Sequence, residues 1–221
     1  MNTAAVPTLK IDFVSDVVCP WCAIGLSALE IALARLEGVL AAELHFQPFQ
    51  LNPDMGPEGA EVVPYLSRKY GMSAEQVALN QQGIAERGAA VGFEFRMDRR
   101  SRTYNTFDAH RLLHWAGEQG AAQQRALKHA LLSAYFTDGE NPSAREVLLR
   151  CAERAGLDAA PAAAVVDSTQ YADAVRERQR FYQSAGIHSV PAVIVDDRHL
   201  IQGGQPPEVF ERALRQIAAE A

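Results

Sequence analysis

Two cysteines separated by two residues are the part of this sequence best suited to chemistry. Cys19 and Cys22 enclose Pro20 and Trp21 in a Cys-Pro-Trp-Cys motif directly after a β-branched run. Pro20 suits the first turn of a helix, which places Cys19 at the N-cap. There the free backbone N–H groups and the helix dipole stabilise a thiolate, the reactive form of cysteine. Cys19 is therefore the candidate nucleophile, and Cys22 is near enough for the pair to cycle between dithiol and disulfide.

A structural zinc site is the alternative use of the same cysteines. His110 and His114 have the spacing of two zinc ligands on one helical face. They lie much farther along the chain from Cys22 than zinc fingers require, and in a different part of it. The redox use is therefore favoured and no metal is expected. We interpret the two histidines as a helix face, partly buried and partly lining a groove.

The elements that position the motif are predicted from hydrophobic periodicity. A strand is expected at 10–14, a helix from the motif to Gly38, and a second strand at 44–51, where Pro48 suggests an edge or a bulge. Near the carboxyl end the pattern predicts a helix at 169–185, strands at 190–195 and 199–202, and a helix at 208–219.

The segment between these two parts has a helical pattern. Capping boxes are predicted at Ser73–Gln76 and at Ser143–Glu146, and Asn105 with Thr106 can cap a helix that begins at Phe107. A β-α-β half and an α-β-β-α half around such a block is the layout of an α/β, thioredoxin-like fold with a large all-helical insertion. We expect residues 1–55 and 168–221 to form the thioredoxin-like domain and residues 56–167 the insertion.

Composition limits the classes of partner and compartment. The chain has 221 residues and a formal net charge of −6, so neither nucleic acid nor an anionic membrane is expected as a partner. Three cysteines are too few for a disulfide-stapled secreted scaffold, and the amino-terminal residues do not have the pattern of a secretory signal. The expected location is cytoplasmic, and the expected state is a monomer or a dimer.

Other residues with reactive or charged side chains are given ordinary structural roles. Cys151 falls on an apolar helical face and is interpreted as a buried small hydrophobe. Asp16 could tune or relay protons, although an aspartate before a helix is more often an exposed turn residue. The arginine cluster, which we interpret as a solvated loop, consists of Arg96, Arg99, Arg100 and Arg102.

The sequence also resembles a known family in six segments that follow in order along the chain. They are SDVVCPWCAIG at 15–25, PFQLNPDM at 48–55, YLSRKYG at 65–71, NTFDAHRL at 105–112, GIHSVPA at 186–192 and GGQPP at 203–207. In these segments the chain is similar to DsbA-family thiol–disulfide oxidoreductases of the FrnE-like cytoplasmic subgroup. The resemblance implies a thioredoxin fold with a helical insertion and exchange of disulfides with protein or small-thiol substrates.

The resemblance further implies which residues contact the substrate. The Val190–Pro191 peptide bond is expected to be cis, with Val190 offering its backbone to an extended substrate and Pro191 facing the disulfide. Pro20 and Trp21 are expected to contribute to substrate binding, and His110 and Asn105 to line the groove. No cofactor is implied beyond the Cys19–Cys22 disulfide. Glutathione, or a thioredoxin-type reductant, is a possible partner.

Two alternatives stay open from the sequence. Kappa-type glutathione transferases and 2-hydroxychromene-2-carboxylate isomerases are similar in outline, but they usually have serine at the position of Cys19. Gln205 after Gly204 also differs from the Asp-Arg pair that is frequent there in those enzymes. The second alternative is a holdase-like binding module that uses the groove without its thiols.

Overall fold

The computed structural model describes residues 6–220, and a four-stranded mixed sheet lies at the centre of this part of the chain. The strands are β1 (Thr8–Ser15), β2 (Ala41–Pro48), β3 (Ala60–Glu61), β4 (Arg102–Thr103), β5 (Ala192–Val195) and β6 (His199–Gln202). The order in the main sheet is β2-β1-β5-β6. β1 is parallel to β2 and antiparallel to β5, and β5 is antiparallel to β6.

Helices pack on this sheet and make up most of the segment between β2 and β5. They are α1 (Pro20–Arg35), α2 (Val62–Tyr70), α3 (Ala74–Ala90), α4 (Phe107–Gln119), α5 (Ala121–Phe136), α6 (Arg145–Arg154), α7 (Ala159–Val166), α8 (Ala172–Ser184) and α9 (Pro207–Glu220). None of these helices is both long and apolar enough to cross a lipid bilayer.

The β1–α1–β2 unit places the two cysteines at the carboxyl end of the central strand β1. All eight residues of β1 pair with β2 in parallel register, from Thr8 with Ala41 to Ser15 with Pro48. Parallel neighbours need a crossover, and α1 provides it, with the five consecutive residues 22–26 completely or almost completely buried. The motif therefore lies at the edge where β1 ends and α1 begins.

One hydrophobic core continues from the sheet into the helical segment. Phe13 of β1 and Leu29 of α1 belong to the same buried cluster as Leu127 of α5 and Leu148 of α6. Gln124 of α5 holds β2 directly, because its Oε1 accepts a hydrogen bond of 3.0 Å from Phe46 N–H. The helices therefore fix the position of β2, while the division at residues 55 and 167 stays a prediction.

The structure corrects two expectations for the segment 56–167. It is not all-helical, because β3 and β4 pair there as a two-stranded antiparallel sheet. The capping box at Ser73–Gln76 is confirmed, but the one at Ser143–Glu146 is wrong. Asn141 Oδ1 accepts the Ser143 N–H at 2.9 Å, and the Ser143 hydroxyl donates to the Asn105 carbonyl instead of capping α6.

Candidate active site

Cys19 is the N-cap of α1, as the motif predicts. Its φ of −92° and ψ of 115° are extended, and Pro20 is the first helical residue. The Cys19 carbonyl accepts the first helical hydrogen bonds, from Cys22 N–H at 3.0 Å and from Ala23 N–H at 3.4 Å. No acidic side chain lies in the first turn to oppose a thiolate.

The two cysteines differ in their access to solvent. Cys19 is 4% exposed and lines an open cleft, whereas Cys22 is completely buried behind it. Burial raises the pKa of the Cys22 thiol well above its ordinary value, and its hydrogen bond with Cys19 raises it further. Cys22 therefore holds its proton more tightly than an ordinary thiol does.

A loop before β5 closes the site from the opposite side. The Val190–Pro191 peptide bond is cis, as the resemblance implied. Cys19 Sγ lies 3.6 Å from the Val190 carbonyl oxygen and donates to it. Gly25 of α1 allows this close approach, because a Cβ atom there would lie 3.0 Å from Pro191 Cγ and 3.2 Å from Gly204 Cα.

A lysine of α5 lies beneath the two thiols. Lys128 is 1% exposed, and its Nζ is 6.0 Å from the centre of the Phe46 ring. Burial lowers the pKa of Lys128, while the charges of Cys22, Asp16 and Cys19 oppose that shift. In turn, Lys128 acts to lower the pKa of Cys22, so its ammonium group favours a thiolate at that position.

Asp16, which follows the last residue of β1, forms a buried polar pair with His110 of α4. Oδ2 of Asp16 accepts a 2.7 Å hydrogen bond from Leu51 N–H, and its Oδ1 lies 3.4 Å from His110 Nε2. Burial by itself would raise the pKa of Asp16, but the contact with His110, its charge and the Leu51 N–H bring that pKa below the ordinary value. Asp16 is fully buried, so its interpretation as an exposed turn residue is wrong.

The cleft in front of Cys19 has a volume of about 810 Å³ and extends along α2 and α3. Pro20, Trp21 and Val190 line it together with Cys19. Its far wall is largely aromatic and aliphatic, formed by Val62, Tyr65, Leu66, Tyr70, Met72, Val77, Ile84 and Tyr135. This size and lining suit an extended peptide or a small organic disulfide.

Trp21 forms the exposed rim of the cleft. It is 36% exposed, and the guanidinium carbon of Arg87 on α3 lies 5.3 Å from the centre of its ring. This cation–π contact ties the motif to the helical segment. Trp21 is therefore held in position while one face of its side chain still meets solvent.

The remaining predicted site residues lie away from the cleft. His110 is buried and reaches the site only through Asp16. Asn105 lines a second cavity of about 590 Å³ that shares only Gln50 with the cleft. Its side chain is occupied by the protein itself, since Oδ1 accepts from Gln50 Nε2 at 2.9 Å and Nδ2 donates to Met55 O at 3.0 Å.

Sequence reasoning missed the two buried cations at the site. Lys128 lies three residues before Leu131 and four before Leu132, on the face of α5 turned to the core, and that position was the available signal. Arg100 was placed in a solvated loop with its neighbours, but it is only 7% exposed and lines the cleft. Cys151 is buried, as predicted.

The side chains suggested as zinc ligands do not come together in the structure. Between residues 6 and 220, no group of three or more His, Cys, Asp and Glu side chains is arranged to hold a metal ion. His114 instead packs on Tyr171, with ring centres 5.2 Å apart. The two histidines proposed as a zinc half-site thus have separate surroundings.

Comparison with known proteins gives consistent matches over nearly the whole chain. Residues 10–215 match the family described as DSBA-like thioredoxin domain. The uncharacterized protein YwbO of Bacillus subtilis (strain 168) is 27% identical over 208 residues, which are 94% of this chain and 96% of that protein. The crystal structure of a probable DsbA oxidoreductase from Streptomyces coelicolor has a TM-score of 0.88 and 34% identity, over 96% of this chain and 91% of that one.

A more distant structure has the same fold. The cytosolic disulfide reductase DsbM of Pseudomonas aeruginosa, solved with GSH, has a TM-score of 0.63 and 18% identity, over 95% of this chain and 99% of that one. These matches confirm the thioredoxin-like fold with a helical insertion that the sequence predicts. The FrnE-like subgroup stays a prediction.

Proposed function

Because the chain belongs to the DSBA-like thioredoxin domain family of thiol–disulfide oxidoreductases, we propose that it exchanges disulfides through Cys19 and Cys22. Cys19 is the attacking sulfur and Cys22 the resolving sulfur. The observation that carries this assignment is the unequal placement of the two thiols. Cys19 is at a helix N-terminus on an open cleft, and Cys22 is buried directly behind it.

The exchange balances in two steps. The Cys19 thiolate attacks one sulfur of a substrate disulfide, the substrate S–S bond breaks, and one half leaves as a thiolate. Cys22 then loses its proton and attacks the Cys19 sulfur, which forms the Cys19–Cys22 disulfide and releases the second half. Two electrons pass from the protein to the substrate, and the reverse sequence oxidises a dithiol. Each further turnover needs an external thiol or disulfide, for which glutathione or a thioredoxin-type protein is proposed.

The surroundings of Cys22 fit the second step. Its raised pKa keeps the proton in place until the mixed disulfide has formed. The Lys128 ammonium group then stabilises the negative charge that appears as the proton leaves. Lys128 is thus proposed to act through Cys22, because its charge acts on the buried thiol and it does not line the cleft.

Val190 is proposed to hold the substrate backbone. Its carbonyl accepts from Cys19 Sγ in the dithiol, and this donor is lost once Cys19 is ionised or bonded to a substrate sulfur. The carbonyl is then free to accept an N–H from an extended peptide in the cleft. Pro20, Trp21 and Pro191 surround this position, so we propose them as substrate contacts.

The placement of the two thiols supports the two alternative functions less well than it supports disulfide exchange. A glutathione-dependent isomerase of the 2-hydroxychromene-2-carboxylate type resembles this chain in fold, but a second thiol at Cys22 has no role in such chemistry. A holdase-like module would leave both thiols without a purpose. The cytoplasmic location and the monomeric or dimeric state stay predictions.

Reduction of insulin by dithiothreitol tests the proposal. The unaltered protein and Cys151→Ser are expected to accelerate precipitation of the insulin B chain, because Cys151 is buried away from the cleft. Cys19→Ser is expected to lose the acceleration, and Cys22→Ser to accumulate a mixed disulfide on Cys19 that mass spectrometry detects. If Cys19→Ser were as active as the unaltered protein, the assignment of the attacking sulfur would be wrong.

A further inference from the structure

The cleft beside Cys19 has a charge opposite to that of the whole chain. The protein has a formal net charge of −6, but the charged residues that line the cleft are Lys69 and Arg100, and its described lining contains no aspartate or glutamate. A cleft lined by one sign of charge concentrates ligands of the other sign. The lining therefore favours an anionic ligand in front of Cys19.

Of the two cations that line the cleft, Arg100 is the one without a hydrogen-bond or ion-pair partner among the described residues. Its guanidinium carbon lies 5.7 Å from the centre of the Tyr135 ring and 5.5 Å from that of Phe136, and its Nε has no hydrogen-bond partner. No arginine–carboxylate ion pair among residues 6–220 includes it. Lys69, in contrast, donates to Leu51 O at 3.0 Å and to Asn52 Oδ1 at 2.8 Å.

An unpaired guanidinium that is more than nine-tenths buried is costly for a folded protein. Arginine stays protonated in proteins, so it cannot escape the cost by losing its charge. Its planar set of N–H donors matches a carboxylate in a bidentate arrangement. A carboxylate that entered the cleft would supply the partner that the protein itself does not provide.

We propose that Arg100 binds a carboxylate of the substrate, so that this protein prefers disulfides and thiols with a carboxylate in the same molecule as the reacting sulfur. The inference rests on the proposed function for the identity of the reacting sulfur, Cys19. The carboxylate has two possible sources, a small peptide disulfide of the glutathione type or an acidic residue near a cysteine in an extended peptide. Arg100 recognises the same group in both.

A binding experiment tests the preference without any sulfur exchange. Two probes are titrated into the reduced protein by calorimetry, S-methylglutathione and a short peptide with glutamate near an S-methylcysteine. Each probe is compared with a counterpart that lacks the tested carboxylate, using N-acetylated forms so that no free ammonium group contributes: the dimethyl ester of the first and the glutamine peptide of the second. We expect at least one acidic probe to bind about tenfold or more tightly than its counterpart, a difference of about 1.4 kcal/mol.

Variants assign that preference to Arg100. Arg100→Gln is expected to abolish it, and Arg100→Lys to retain only part, because lysine keeps the charge without the fork of donors. The matched control is Arg99→Gln, which removes the same charge from the adjacent exposed residue and is expected to keep the preference. Thermal unfolding verifies that every variant is folded. The acidic probe that shows the effect identifies the source of the carboxylate.

The inference is overturned if neither acidic probe is preferred, or if the preference survives in Arg100→Gln. A kinetic measurement provides a second test. It takes the ratio of kcat/KM for glutathione disulfide to kcat/KM for bis(2-hydroxyethyl) disulfide, which has no carboxylate. Arg100→Gln is expected to lower this ratio about tenfold or more, and Arg99→Gln to keep it. An equal loss on both disulfides would assign Arg100 a structural role instead.

The two proposals fail in different ways. Activity that persists in Cys19→Ser would refute the exchange mechanism, while carboxylate-selective binding of the S-methylated probes would still stand. Loss of that selectivity alone would leave the exchange mechanism intact.

Discussion

Replacing Asp16 by asparagine is expected to destabilise the protein by about 3 kcal/mol at neutral pH, the upper end of the contribution of a hydrogen bond to a charged group. The 2.7 Å hydrogen bond from Leu51 N–H to a charged carboxylate is worth about 1.5–3 kcal/mol. The substitution also alters the contact of 3.4 Å between Asp16 Oδ1 and His110 Nε2, at a position where Asp16 is completely buried. Asparagine keeps one acceptor for Leu51 but removes the charge.

The measurement is thermal unfolding of the reduced protein by circular dichroism. For a chain of this length, each kcal/mol shifts Tm by about 2–4 °C, so Asp16→Asn is expected to lower Tm by about 6–12 °C at pH 7. Asp98→Asn is the control, because that carboxylate is 65% exposed and its 3.0 Å pair with Arg96 at the surface is screened by solvent and contributes little to stability.

The stabilisation that the Asp16 carboxylate provides is expected to decrease in acid. The pKa of Asp16 is lower in the folded protein than its ordinary value of 3.8, so the carboxylate stabilises the fold fully above that value. The stabilisation is lost as the pH falls through the lower, folded pKa. The difference in Tm between Asp16→Asn and the unaltered protein must therefore shrink below about pH 4. A Tm within the range of Asp98→Asn at pH 7, or a difference that persists in acid, would refute this reasoning.

Three further changes test other parts of the structure. Gly25→Ala is expected to lower the rate of insulin reduction about tenfold, because the new Cβ displaces Pro191 by a few tenths of an ångström. Unchanged activity would contradict the close contact between α1 and Pro191. Iodoacetamide at pH 8 should not label Cys151 in the folded protein, because burial raises the pKa of its thiol to about 11. It should label Cys151 once guanidinium chloride unfolds the protein, and mass spectrometry that found rapid labelling of the folded protein would contradict this. Ser73→Ala removes the cap on Gln76 N–H and should lower Tm by about 2–4 °C, whereas no shift would mean that the capping box does not stabilise α3.

Local patterns were sufficient for the elements that carry the two cysteines. Each of these patterns depends on residues that are close together in sequence. They are the β-branched run before Cys19, Pro20 at the start of α1 and the capping box at Ser73, and each formed as predicted. β3 and β4 escaped prediction because two-residue strands have no detectable alternation. The cap predicted at Ser143 failed because a tertiary partner, the carbonyl of Asn105, took its hydroxyl.

The burial of the charged residues at the site depends on tertiary contacts, which sequence patterns do not contain. Charged residues are usually solvated, and this expectation assigned Arg100 to a surface loop and Asp16 to an exposed turn. In the structure α5 packs on β2 with Lys128 in the interior, where its charge acts on Cys22 and Asp16. Tertiary packing between elements distant in sequence decides whether these charges meet water.

The burial of Cys22 behind Cys19 also determines how the site survives oxidants. Hydrogen peroxide approaches from the cleft and reaches Cys19 first, converting its thiolate to a sulfenic acid. The neighbouring thiol of Cys22 condenses with that group, releases water and forms a disulfide before a second peroxide produces the irreversible sulfinic acid. Access for one sulfur, with its partner held directly behind it, therefore turns a damaging oxidation into a state that an ordinary thiol can repair.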